Sequence, residues 1–83
     1  MSRLYHPAPV IDVNTNDRGL PVALSWRGTL YRGEVRQHWR IRTGWWGGEE
    51  IWRDYYLYEA DELVCEVYHD RRKGDWRLHR IYD

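Results

Sequence analysis

Residues 29–42 read Thr29-Leu30-Tyr31-Arg32-Gly33-Glu34-Val35-Arg36-Gln37-His38-Trp39-Arg40-Ile41-Arg42. The odd positions Tyr31, Val35, Trp39 and Ile41 are apolar, while the even positions Arg32, Glu34, Arg36, His38, Arg40 and Arg42 are all charged or titratable. Successive side chains of an extended chain point to opposite faces, so this period of two predicts one long strand with a core face and a solvated face. Gly33 falls on the apolar side, where it suits a bulge or the bend of a curling sheet.

Working outward, Gly and Pro punctuation divides the rest into short segments, and no window offers the i, i+3, i+4, i+7 apolar stripe of a helix. Upstream, Val10–Val13 predicts a short strand, Asn14 to Gly19 a turn, and Pro21–Trp26 a strand joined to the long one through Arg27-Gly28. Downstream, Thr43–Glu50 reads as a Gly-rich loop, Ile51–Ala60 and Leu63–Asp70 as strands about the turn Asp61-Glu62, and Trp76–Tyr82 as the last strand after the turn Arg71–Asp75. The expected fold is all-β. It is a single small antiparallel meander of five or six strands over residues 10–83, curled into an open or partly closed barrel, with residues 1–9 as a flexible arm. The expected core takes Leu24 or Trp26, Tyr31, Val35, Trp39, Ile41, Tyr55, Leu57, Val67, Trp76 and Leu78.

A chain of 83 residues makes one domain and buries only about 60% of its unfolded surface, so six Trp and seven Tyr are the means of stabilising it. The single cysteine, Cys65, leaves no internal disulfide and no Cys-pair zinc site, and points to a reducing, cytoplasmic setting. Neither a signal peptide nor a membrane span is legible. Thirteen acidic residues balance thirteen basic ones, which argues against a nonspecific polyanion binder. Twelve of the thirteen cations are Arg, the residue suited to bidentate and stacking contacts, although a GC-rich genome also favours it.

Two constellations carry binding chemistry. Arg32, Arg36, Arg40 and Arg42 would project from one sheet face at spacings that phosphates of a single strand could follow, or else form a solvated face paired with acidic neighbours. Trp45 and Trp46 on the Gly-rich loop point to opposite sides if extended; one is then free to stack a base, unless both indoles cap the barrel. In the segment 51–60, Trp52, Tyr56 and Tyr58 share one face while Ile51, Tyr55 and Leu57 share the other. The first set is the candidate partner surface, for a protein or a second copy of the chain. Catalysis is poorly supported: Cys65 and His69 would lie about 13 Å apart on one strand face, and His38, His69 and His79 could converge on a metal, although scattered His in a sheet is more often surface or structural. No catalytic residue, metal or cofactor is expected.

The order Trp26-Arg27-Gly28, Tyr31, Val35, Trp39, Gly44-Trp45-Trp46, Arg53-Asp54-Tyr55-Tyr56, Tyr68-His69-Asp70 and Trp76-Arg77-Leu78-His79-Arg80-Ile81-Tyr82-Asp83 resembles a small bacterial domain of unknown function. That domain occurs alone and at the C-terminus of ImuB-type proteins, the catalytically degenerate relatives of Y-family translesion polymerases. The resemblance covers residues 22–83 and implies an association with DNA damage tolerance, without catalytic residues. The expected function is a non-enzymatic accessory module contacting single-stranded or distorted nucleic acid in DNA repair. The alternative is a protein-interaction module of a repair complex, using the aromatic face of Trp52, Tyr56 and Tyr58.

Overall fold

Turn chemistry sets where the strands end. Asn16 Oδ1 accepts from the amides of Arg18 at 2.9 Å and Leu20 at 3.0 Å, and Asp70 Oδ1 does the same for Arg72 at 3.0 Å and Lys73 at 3.1 Å. Between these side-chain-stabilised turns, Arg27 and Gly28 both take positive φ, 50° and 81°, as a two-residue hairpin with matching twist requires. The computed structural model describes residues 2–44 and 50–82. They form seven strands: β1 (Arg3–Leu4), β2 (Val10–Thr15), β3 (Pro21–Trp26), β4 (Thr29–Thr43), β5 (Ile51–Ala60), β6 (Leu63–Asp70) and β7 (Trp76–Tyr82). No helix among the described residues is long and apolar enough to cross a membrane.

All pairings are antiparallel, and β7 pairs with β6 as well as with β2, so β2–β7 close into a six-stranded barrel with β1 as an extra strand on β7. Closure removes the exposed edges that an open sheet of this size would carry. The N-terminal segment, expected as a loose arm, is laid on the barrel. Arg3 and Leu4 pair with Ile81 and Arg80, Tyr5 N–H donates to His79 O at 2.9 Å, and Arg77 Nη1 donates to Ala8 O at 2.9 Å.

β4 makes the sharpest corner. Residues 29–32 pair with β3, whereas residues 33–43 pair with β5, so the strand changes partner at Gly33. A Cβ there would collide with the Glu59 carbonyl and Ala60 Cα. Only glycine lets the two backbones approach this closely. Three residues on, the register skips Arg36: Val35 stands opposite Tyr58 and Gln37 opposite Leu57. This bulge reverses the inward parity of β4, because one unpaired residue shifts every later side chain to the other face.

The core assignments change accordingly. Tyr31 and Val35, before the bulge, pack against the main core of Leu24, Tyr58, Cys65, Val67 and Leu78. Trp39, after it, lies outside the barrel in a second cluster with Ala8, Tyr55 and Tyr68, and Ile41 is 37% exposed. In β5 the inward set is Asp54, Tyr56, Tyr58 and Ala60, all buried, and Leu57 is only half-buried. The expected inward face of this strand is thus inverted. Tyr58 is fully buried and donates its hydroxyl to Tyr31 O at 2.9 Å, so the deepest aromatic of the core has a satisfied polar end.

Candidate functional site at one end of the barrel

The β2–β3 turn, the C-terminal half of β4, the start of β5 and the β6–β7 turn meet at one end. The tie between the last two is direct: Arg71 N–H donates to Trp52 O at 2.8 Å and Arg72 Nη1 to Glu50 O at 2.8 Å. Since the bulge at Arg36 turns the even residues of β4 inward here, His38 stands opposite Tyr56, Arg40 opposite Asp54 and Arg42 opposite Trp52. A cavity of about 300 Å³ opens at the first two of these pairs, bounded also by Arg18, Leu20, His69, Arg71 and Trp76.

Asp54 forms the floor. Its side chain is 3% exposed, yet it stays ionised: burial by itself raises the carboxyl, but the hydrogen bond from Arg40 and the charges of Arg40, Arg71 and His38 outweigh that and hold it below its ordinary value. Arg40 Nε donates to Oδ1 at 2.7 Å, Arg71 Nη1 lies 3.6 Å from Oδ2, and His38 Nε2 lies 3.9 Å from Oδ1. Two flat pairs line the walls. His38 stacks on Tyr56 at 4.5 Å and 4°, and His69 on Trp76 at 4.7 Å and 14°. Beside the cavity, the Trp52 indole has the Arg42 guanidinium 4.5 Å from its ring centre and that of Arg71 at 5.7 Å.

The four arginines expected on one face are split by the bulge. Arg32 belongs to the half of β4 paired with β3, and Arg36, at the bulge, binds Glu59 and lies 3.1 Å from Glu34. Arg40 and Arg42 are brought to the cavity end, where they pair with Asp54 and, at 3.4 Å, Glu50. A continuous row of unpaired arginines is therefore not formed. Trp45 and Trp46 lie outside the described residues; the ends of their loop, Thr43 and Ile51, pair with each other at this same end of the barrel. The partner face expected from Trp52, Tyr56 and Tyr58 is overturned for its two tyrosines, which are 5% and 0% exposed. Closure of the barrel puts that face against the core.

Arg18, Asp54, Arg71 and Trp76 were not singled out as binding residues by sequence reasoning, which weighed His38 and His69 only as metal ligands, with His79. The signal available was Asp54 itself, a carboxylate alternating with aromatics in a strand, since a charge on an inward face needs partners. Comparison of the chain with family models, curated proteins and solved structures finds no match in any of the three.

Proposed function

We propose that the chain is a non-catalytic module that contacts single-stranded nucleic acid at the Asp54 end of the barrel, in the setting of DNA damage tolerance that the resemblance of residues 22–83 implies. One observation carries this reading: Arg18 and Arg71, from two turns far apart in sequence, converge with Arg40 on a cavity walled by aromatic rings, and Arg72 and Lys73, next to Arg71 in the β6–β7 turn, line a second hollow beside Trp52 at the same end. Guanidinium and ammonium groups supply the phosphate attraction, and indole and phenol faces supply stacking that is tolerant of sequence. Arg40 and Arg42 are held by carboxylates at 2.7 and 3.4 Å and serve mainly to shape the surface; Arg71, 3.6 Å from Asp54, and Arg72, 3.9 Å from Glu50, are held more loosely, so with Arg18 and Lys73 they carry the phosphate contacts.

The test is a fluorescence anisotropy titration of a labelled single-stranded oligonucleotide at two salt concentrations. Neutralising three or four phosphates gives a slope of log affinity against log salt of roughly −2 to −3. Affinity is expected in the micromolar range, because the acidic residues repel the same polyanion. No binding at low salt, to single strands and to gapped duplexes alike, would remove the reading.

A further inference from the structure

The cavity beneath that surface is too small for a run of bases. At about 300 Å³ it stands at the lower limit of small-molecule sites, enough for one ring and its sugar. Its chemistry is also more selective than a cationic patch. Asp54 Oδ1 is engaged by Arg40 Nε at 2.7 Å, but among the described residues Oδ2 meets only Arg40 Nη2 at 3.5 Å and Arg71 Nη1 at 3.6 Å, the outer edge of hydrogen bonding. A carboxylate oxygen has two acceptor positions, and Asp54 lines the cavity, so its loosely held Oδ2 retains capacity for a donor from a ligand. The surrounding guanidiniums of Arg18, Arg40 and Arg71 disfavour a cationic donor and favour a ligand with negative charge elsewhere. Tyr56, 5% exposed, is covered by His38 and Trp76, so the flat surfaces left to favour a planar ring are the His38 imidazole, 43% exposed, and the stacked pair of His69 and Trp76.

Planarity, an N–H donor and a nearby negative charge together describe a nucleotide whose base carries an exocyclic amine. We propose that the cavity takes one nucleotide of a single strand, with the amino group of adenine, cytosine or guanine on Asp54 Oδ2 and the phosphate on Arg18 and Arg71. This rests on the nucleic-acid reading and names the part of the ligand that the barrel reads. Thymine has no exocyclic amine, and its single N–H on that edge is flanked on both sides by carbonyl oxygens that the carboxylate repels, so it is the disfavoured base. Free nucleotides offer the same chemistry as a strand end or an extruded base, and the comparison of short and long ligands separates them.

The experiment is an amide chemical-shift titration of the whole chain at low salt with dAMP, dCMP, dGMP, dTMP and deoxyribose 5-phosphate, each compared with an oligonucleotide. The expected result is shifts at Leu20, Asp54 and Trp76, with the three amino-bearing nucleotides bound at least about tenfold tighter than dTMP, the scale of one hydrogen bond to a charged acceptor. Asp54→Asn is expected to abolish that preference, and Arg18→Ala, in an exposed turn, to weaken all four nucleotides alike. If Asp54→Asn does not fold, the order of the four nucleotides on the native chain decides by itself. Equal affinities for the four, or an oligonucleotide that binds while mononucleotides shift nothing at the cavity, would overturn the base-reading proposal and leave the nucleic-acid reading in place. Failure of oligonucleotide and mononucleotides together would remove both.

Discussion

Arg40 stands directly across the β4–β5 ladder from Asp54 and donates Nε–H to its Oδ1 at 2.7 Å, fixing a nearly buried carboxylate at the floor of the cavity. The pairing exists only because Arg36 is skipped in the register; without the bulge, Arg40 would face outward.

Acid should therefore weaken the fold through Asp54. Its folded-state value lies below the ordinary 3.8, so the unfolded chain binds the proton first. The stabilisation is complete above the unfolded value and is lost as pH falls below about 4 toward the folded one. Denaturant midpoints measured down the acid limb should drop for the native chain, and Asp54→Asn should flatten that drop. An unchanged acid limb in the variant would place the charge of Asp54 in water.

Alkali acts through the opposite sign. Burial pushes the Cys65 thiol from 9.0 up to about 12, and burial also raises Tyr56, Tyr58 and Tyr68. Each is a group whose charged form the folded state resists, so the unfolded chain ionises first and stability falls as pH rises from about 9 toward 12. At pH 8 a thiol reagent should label Cys65 only at the rate of unfolding. Rapid stoichiometric labelling of the native chain would contradict the closed core.

Gly33 should tolerate nothing larger. Gly33→Ala sets a methyl against the Glu59 carbonyl at the β4 corner, with an expected cost of about 1 to 3 kcal/mol, and a denaturation curve matching the native one would show that the corner can give.

The two clusters should differ in weight. Leu78 is fully buried among the barrel core, so Leu78→Ala should cost about 2 to 5 kcal/mol. Trp39 is half-buried on the outer face and stacks on Tyr55 at 5.6 Å, so Trp39→Ala should cost about 1 to 2 kcal/mol. Chemical denaturation of both variants checks the order, and the reverse order would restore Trp39 to the core.

The strand boundaries were legible because turn residues act locally: Asn16, Gly28 and Asp70 do in the structure what their side chains or lack of one permit. Closure was less so, since β7 reaches β2 across more than sixty residues of chain and no local pattern encodes it. The inward face of β4 was misread for a definite reason. Its alternation is unbroken in sequence, but the bulge at Arg36 consumes one residue without interrupting the apolar and charged sequence order, so Trp39 and Ile41 turn outward and His38 and Arg40 inward. The β5 inversion had a visible warning in Arg53 and Glu59, two charges on the face assigned to the core. The candidate site was legible only in its parts, because Arg18, Asp54 and Arg71 meet through tertiary closure.

The position of the binding surface decides the functional reading most directly. Arg72 and Lys73 lie in the exposed β6–β7 turn at the Asp54 end, whereas Arg32 lies toward the opposite end, beside the β5–β6 turn at Asp61 and Glu62. The measurement is the salt dependence of single-strand affinity for Arg72→Ala with Lys73→Ala, set against Arg32→Ala. The double variant should weaken binding and reduce the slope by about 1 to 1.5 units, roughly 0.7 for each phosphate no longer neutralised, while Arg32→Ala leaves both unchanged. A slope lowered by Arg32→Ala and untouched by the double variant would contradict binding at the Asp54 end.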